Sequence, residues 1–404
     1  MAIGKVKPGD AKDDRYYVRL YNPQGGYYKK VVHGKRAAAQ HEAEMKAKLN
    51  RGGLAGAGER SKTVRQYLDE VLEAKKLLSP NTRRSYGNST RLHIYPELGE
   101  LKVSRLDRPL LLTGFFETVE KRSGREARRA AESLVRAMLK SAVRDRILDR
   151  NPLDGIPFPK RGRVRGIPYA PELADVVRVR DTIAAQRRGA VGGEAEMALA
   201  QLDLLIGTGV RVGELLAIAP DTDIDLQRRT LTISRQLIYL PGDGFVFAPP
   251  KTDDSGRRVI PLPRFVLAAI STTQLRNGLA AITLPWGEPD ASVTQVHRLL
   301  FHRIREPGTV VRPVSVQNRL HRVGEALGLP GPLHPHSFRH RFTAILHDAG
   351  VPQIVIDEIT GHLPSGSVTM RTYTRPMDAG RARAREAIET AWLAAQAGRA
   401  AQVG

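Results

Sequence analysis

The chain has 404 residues, a formal net charge of +22 and 41% hydrophobic residues. That length exceeds one ordinary core and predicts two or three domains, while the excess of cations spread over an apolar-rich chain predicts a folded protein with a polyanionic partner, most commonly nucleic acid. The lack of cysteine excludes disulfides, thiolate nucleophiles and Cys-ligated zinc. The start, "MAIGKVKPGDAKDDRYY", has no apolar core of signal-peptide length and no run is long enough to span a bilayer, so a cytoplasmic protein without membrane contact is expected.

Residues 1–58 read as a small β-rich module followed by a helix. "RYYVRLYNP" alternates and is rich in strand formers, Gln24-Gly25-Gly26 supplies a turn, and "YYKKVVHG" reads as the return strand. "KRAAAQHEAEMKAKL" has helical propensity throughout. Lys29 and Lys30 lie on the strand pair and Lys35 and Arg36 follow it; a basic strand pair reads a DNA groove, although a solvated sheet face has the same composition. The glycine-rich "RGGLAGAGE" predicts a flexible linker.

Residues 63–158 read as a helical bundle. In "TVRQYLDEVLEAKKL", Val64, Tyr67, Leu68, Val71 and Leu72 recur at helical spacing. "SPNTRRSYGNSTRLHIYPEL" opens with Ser79 as cap and Pro80 at the first helical position, and "EARRAAESLVRAMLKSAVRDRIL" is a longer amphipathic helix ending before Asn151-Pro152. Then "PFPKRGRVRGIPY" joins stiffening prolines to Lys160, Arg161, Arg163 and Arg165, as a connector crossing a phosphate backbone requires, or as a plain solvated linker. From about residue 167 the chain reads as mainly helical, interrupted by a β stretch from "RTLTISRQLIYL" to "RRVIPLP".

The chemistry-bearing residues lie in this last segment. Arg211 stands in the helix-like "LLIGTGVRVGELLAI", where an arginine among Leu, Ile and Val is costly to bury unless it meets an anion or carboxylate. Glu214, one helical turn on, is placed to orient it, in a functional site or in a structural salt bridge. The glycines there are spaced GxGxxxG, with Val212 where the dinucleotide fingerprint needs glycine and no strand leading in, so that reading is rejected. Lys251 precedes the turn "TDDSGRR" between two β segments and is either solvated or, beside arginines, a proton donor.

His336 and Arg339 stand three positions apart and share a helix face. "HSFRH" lacks the glutamate of the zinc motif HExxH and puts a cation between its histidines, so no metal site is expected. "VPQIVIDEITGH" reads as a helix stopped by Gly361, with His362 just beyond, either as a cap for free carbonyls or as a donor in a site. Tyr373 falls in the polar "SVTMRTYTR". A phenol of pKa near 10 is ionised to about one part in a thousand at neutral pH, a deficit of roughly 4 kcal/mol, so an attacking tyrosine needs a base and a cationic pocket. Two guanidiniums and two histidines supply such a pocket for a phosphorane. No Asp/Glu cluster suited to two metal ions stands out.

In this order, Arg211, Lys251, "HSFRH", "TGH" and Tyr373 resemble the tyrosine recombinases, specifically the phage-type integrases. "GTGVRVGEL" is similar to the family's first arginine box, and "LHPHSFRHRFTAILHDAGV" through "ITGHLPSGSVTMRTYTR" to its second; Thr374-Arg375 departs from relatives that carry a histidine near the tyrosine. The resemblance implies a multidomain α+β chain: a β-sheet-plus-helix arm-binding module (1–58), a helical core-binding domain (63–158) and a mainly α catalytic domain with a small antiparallel sheet (167–390). It implies Tyr373 as nucleophile, Arg211, Arg339 and His362 on the phosphate, His336 as base, Lys251 as acid, and no cofactor. It also implies double-stranded attachment sites, a homotetramer on DNA, and a possible directionality factor or host DNA-bending protein. Integration and excision of a phage or other mobile element is the expected function. A type IB topoisomerase, a chromosome-dimer resolvase and a catalytically silent DNA-binding regulator are the alternatives. The helical tail "RARAREAIETAWLAAQAGRA" is expected to dock on a neighbouring protomer rather than in cis.

Overall fold

The computed structural model describes residues 2–6, 13–21, 27–50, 62–74, 80–157, 169–186, 193–250, 257–306, 308–361 and 378–403. The protein is mixed α+β, mostly helical with small antiparallel sheets, and divides into two compact units, Met1–Arg163 and Val164–Gly404.

The first unit opens with β1 (Ala2–Lys5), β2 (Arg15–Tyr21) and β3 (Tyr27–His33), an antiparallel sheet with β2 central, followed by α1 (Lys35–Asn50). The strand β1 was not visible in the sequence pattern. Val18 is buried with Ala38 and Met45 of α1, and Ile3, Tyr16 and Val32 pack against them, so α1 covers the face that carries these side chains. Alternation then decides where the lysines go. Lys30 is paired with Val18 and belongs to the helix side, whereas Lys29 is paired with Arg19 on the opposite face, where its ammonium lies 5.2 Å from the Tyr17 ring centroid.

The helical part of this unit contains α2 (Val64–Glu73), α3 (Pro80–Ser89), a π turn at Thr90–Ile94, α4 (Tyr95–Leu98) and α5 (Pro109–Arg144). Thr63 caps α2 through a reciprocal pair with Gln66, as a capping box requires. Val64, Tyr67, Leu68 and Val71 are buried as their spacing predicts, packing with Ile94, Phe116, Leu134 and Met138. The long helix begins well before the sequence pattern places it, at Pro109, and is broken at Gly124, where φ is 85°.

The second unit runs α6 (Leu173–Ala185), α7 (Glu194–Thr208), α8 (Val212–Leu215), α9 (Pro220–Asp223), β4 (Ile224–Asp225), β5 (Thr230–Ile233), β6 (Gln236–Leu240), β7 (Gly244–Ala248) and β8 (Arg258–Pro261). It continues with α10 (Arg264–Asn277), β9 (Ala280–Pro285), β10 (Thr294–Leu299), α11 (Pro313–Ala326), α12 (Pro335–Asp348), α13 (Gln353–Thr360) and α14 (Asp378–Val403). The strands pair as β4-β5-β8, β6-β7 and β9-β10, all antiparallel. The β9-β10 hairpin falls where only helix was expected beyond "RRVIPLP". A mainly apolar α7, buried along most of its length, is wrapped by α6, α10 and α12.

Within the single chain, α14 packs on α6, α12 and β8. Ala384, Ile388 and Trp392, four residues apart, form one stripe that enters the core, and Trp392 stacks on Phe265 with ring centroids 5.0 Å apart. Among the described residues, no helix is long and apolar enough to cross a membrane. Replacing Trp392 with Ala is expected to destabilise the second unit by about 3–5 kcal/mol, read as a lower urea midpoint in equilibrium unfolding.

Candidate active site

The "GTGVRVGEL" segment is not one continuous helix. α7 stops at Thr208, Gly209 takes the left-handed region at φ 62°, and Arg211 is extended at φ −75°, ψ 152° as the N-cap of the short α8. Gly209 has no substitute here: besides its positive φ, a Cβ would lie 2.5 Å from the Phe342 ring. The break turns Arg211 out of the helix register and leaves its side chain 24% exposed, while Glu214 remains fully buried.

Glu214 is the hub of the site. One carboxylate oxygen accepts from Arg211 Nη1 (2.9 Å) and Arg258 Nη1 (3.0 Å), the other from the Arg211 backbone N–H (2.9 Å) and Arg258 Nη2 (2.5 Å). Burial pushes its pKa up, but the hydrogen bonds and charge of Arg258, joined by Arg211, more than offset this and hold the carboxyl below its usual range. With a folded pKa below the unfolded value of about 4.3, its contribution to stability is complete above that value and is lost as pH falls through the lower folded one.

Three arginines from separate elements meet the carbonyl end of α13. Arg258 Nε donates to Ile359 O (2.9 Å), Arg339 Nη2 donates to Thr360 O, and Arg211 Nη2 donates to Gly361 O (3.4 Å). These carbonyls lack helical partners and carry the negative end of the helix dipole, which attracts cations. Gly361, at φ 65°, closes the helix as its sequence position predicts. Arg339 is 2% exposed and also donates to Gly209 O (2.8 Å). Burial and the charge of Arg211 push its pKa down to about 10, so it stays cationic at neutral pH. Among the described residues, three arginines thus gather around the one carboxylate of Glu214 and the end of α13.

His336, near the start of α12, reaches the surface but packs edge-on against His340 with centroids 4.5 Å apart. Partial burial, then the charges of His340, Arg339, His334 and Arg211, push its pKa down to about 4. It is therefore neutral at pH 7 and able to accept a proton. Among the described residues no further Asp, Glu or His joins this pair in a group that could hold a metal ion.

Of the residues singled out in the sequence, Arg211, Glu214, His336 and Arg339 come together. Lys251, His362, Tyr373, Lys160, Arg161, Arg163, Arg165, Ser79 and the linker "RGGLAGAGE" lie outside the described residues, although His362 directly follows Gly361 in the chain. Lys29 and Lys30 are exposed on opposite faces of the sheet in the first unit, so one face does not present both.

The sequence reading missed Arg258. Its signal was the alternation in "RRVIPLP": Arg258 and Ile260 are both buried, which places an arginine on an inward strand position. An inward arginine requires a buried acid, and Glu214 was already in hand. In an NMR titration of the free protein, the His336 imidazole is expected to protonate near pH 4, well below the ordinary value of about 6.5. A dianionic phosphate bound at Arg211 would neutralise the surrounding cations and raise that midpoint. A midpoint at or above 6.5 in the free protein would contradict the cationic environment assigned to this histidine.

Residues 183–379 match the model of the phage integrase family. The chain is 23% identical to the tyrosine recombinase XerC of Pediococcus pentosaceus over 314 residues, 78% of this chain and 87% of that protein. Its fold is similar to that of the Tn1549 transposon integrase, solved in complex with transposon right end DNA, at TM-score 0.62 and 20% identity, covering 80% of this chain and 99% of that one. It is also similar to the lambda integrase, solved as a tetramer bound to a Holliday junction, at TM-score 0.51 and 12% identity over 91% of this chain and 96% of that one. Residues 183–379 thus carry a phage integrase family domain, and over most of its length the chain is similar to tyrosine recombinases.

Proposed function

We propose that this chain is a site-specific DNA recombinase that cuts and rejoins duplex DNA through a 3′-phosphotyrosyl intermediate, integrating and excising a mobile element. The observation that carries the reading is the meeting of Arg211 and Arg339 at the end of α13, beside a neutral His336 and one residue before His362. In this reading the Tyr373 phenol oxygen attacks the scissile phosphorus and loses its proton to His336. The bond to the 5′ oxygen breaks, and that oxygen leaves as a hydroxyl with a proton from Lys251. Arg211 and Arg339 hold the non-bridging oxygens of the phosphorane, which carries more charge than the ground-state phosphodiester, and His362 adds a hydrogen bond. The new ester conserves the bond energy of the old one, so a partner strand's 5′ hydroxyl reverses the step without ATP.

The division of labour follows the three segments. Residues 1–58 bind an arm site through the sheet face that α1 leaves uncovered, where Arg19, Lys29 and Tyr17 lie together. Residues 63–158 and 167–390 bind the core site, joined across the backbone by the segment bearing Lys160, Arg161, Arg163 and Arg165. The arm module favours a mobile-element integrase over a chromosome-dimer resolvase or a type IB topoisomerase, because a second DNA contact tethered to the first raises its effective concentration only where two sites must be joined. Strand exchange between two duplexes calls for four protomers, the assembly in which the lambda integrase was solved on a Holliday junction.

Two measurements test this reading. A nicked duplex carrying the joined ends of the element that encodes the chain should become covalently attached to the wild-type protein on a denaturing gel. Tyr373→Phe should bind it and form no adduct, and Arg339→Lys, which loses the two-pronged contact, should form it about 100-fold more slowly. A protein that binds but never links would instead be a silent regulator. Deleting residues 1–58 should spare the adduct but abolish integration; wild-type integration by the truncated chain would remove the arm-site role.

A further inference from the structure

Arg258 is buried away from the surface, yet like Arg211 it bridges Glu214 and the carbonyl end of α13, and it does so with the shorter contacts. It is 6% exposed, it grips both oxygens of Glu214 (2.5 and 3.0 Å), and its third donor holds Ile359 O at 2.9 Å. All three contacts come from one planar group, so the fork fixes the distance between α8 and the end of α13.

Arg211 and Arg339 are held differently. Each spends a terminal nitrogen on the last carbonyls of α13, and these are the same kind of donors a phosphate oxygen requires. A bound phosphate therefore competes with Gly361 O and Thr360 O for their guanidiniums, whereas nothing in the reaction competes for Arg258. We infer that Arg258 is a positioning residue for the strand-cleavage step: it holds Glu214 against Arg211, and α13 in place before His362, while Arg211 and Arg339 turn to the phosphate. This rests on the recombinase reading above.

Losing the brace leaves a specific trace in pH. Among the described residues, the charged groups facing Glu214 are Arg211 of its own turn, Arg258 of β8 and Arg339 of α12. Of the other elements packed on α8, β6 carries no Asp or Glu; α7 carries Glu194 and Glu196 in its first turn and Asp203, held by Arg180; α11 carries Arg319, bonded to Gln201, with Arg322 and the His321–Glu325 pair. Without Arg258, burial is opposed by Arg211 and the more distant Arg339, and the Glu214 carboxyl rises toward neutrality. Once protonated it no longer orients Arg211, so cleavage gains an acid limb.

The test uses the full chain and the nicked junction duplex, after footprinting has located the wild-type binding site on it. Single-turnover adduct formation is followed at saturating DNA from pH 5.5 to 8. Arg258→Met is expected to link about 100-fold more slowly at pH 7.5 and to bind DNA within about threefold of wild type. Its rate should fall further as pH drops through roughly 5–7, where the wild-type rate shows no such limb. The double variant Arg258→Met/Glu214→Gln should lose the limb, because no carboxyl remains to titrate. Should Arg258→Met melt below the assay temperature, Arg258→Lys carries the test. It keeps the charge but not the fork, and should link about tenfold more slowly with no new limb. Adduct formation by the stable variant at the wild-type rate, or a loss that matches the fraction unfolded without the expected pH profile, overturns the role of Arg258. Wild-type protein that forms no adduct overturns the recombinase reading instead.

Discussion

A single buried carboxylate organises the second unit. Glu214 has no access to solvent, so its charge is tolerable only with every lone-pair direction filled, and Arg211 and Arg258 fill them. Removing either partner would strand a charge in the interior, while removing Glu214 would leave guanidiniums facing one another. This mutual dependence is why an ion pair that contributes little net stability still fixes a geometry: alternatives to it cost several kcal/mol each. The extended residue at Arg211, the short α8 and the strand that brings in Arg258 all serve that arrangement.

Much of the chain was legible because its signals are local. The spacing of Val64, Tyr67, Leu68 and Val71, the alternation around Val18, and the glycine that ends α13 each follow from one short window. The order of Arg211, His336 and Arg339 was legible too, as a pattern of chemistry. What the pattern lacked was distance. Arg258 reads as one of many arginines until the strand pairing shows that its side chain points inward, and its partner lies 44 residues away. The break at Gly209 was hidden for the opposite reason. Apolar residues on both sides of the "GTG" continue a helical rhythm, and the decisive fact is the Phe342 ring pressed against Gly209 from α12.

The tail shows how a periodic stripe leaves a choice open. Ala384, Ile388 and Trp392 establish that α14 buries one face, but composition cannot name the surface that receives it. The chain offers Phe265 as a stacking partner for Trp392, and a ring-on-ring contact within one chain carries none of the entropic cost of association. Arg381 adds a bond to Glu358, tying the start of the tail to α13.

The acceptors at the end of α13 belong to the main chain. Every amino acid supplies the same carbonyl, so Ile359 and Thr360 can drift in identity without erasing the arginine contacts, provided the new side chains fit. Vulnerability shifts to conformation: a residue that refuses the left-handed turn at Gly361, or a proline that unwinds the final coil, would move the oxygens themselves. Sequence divergence along this helix is therefore buffered, whereas its terminus is not.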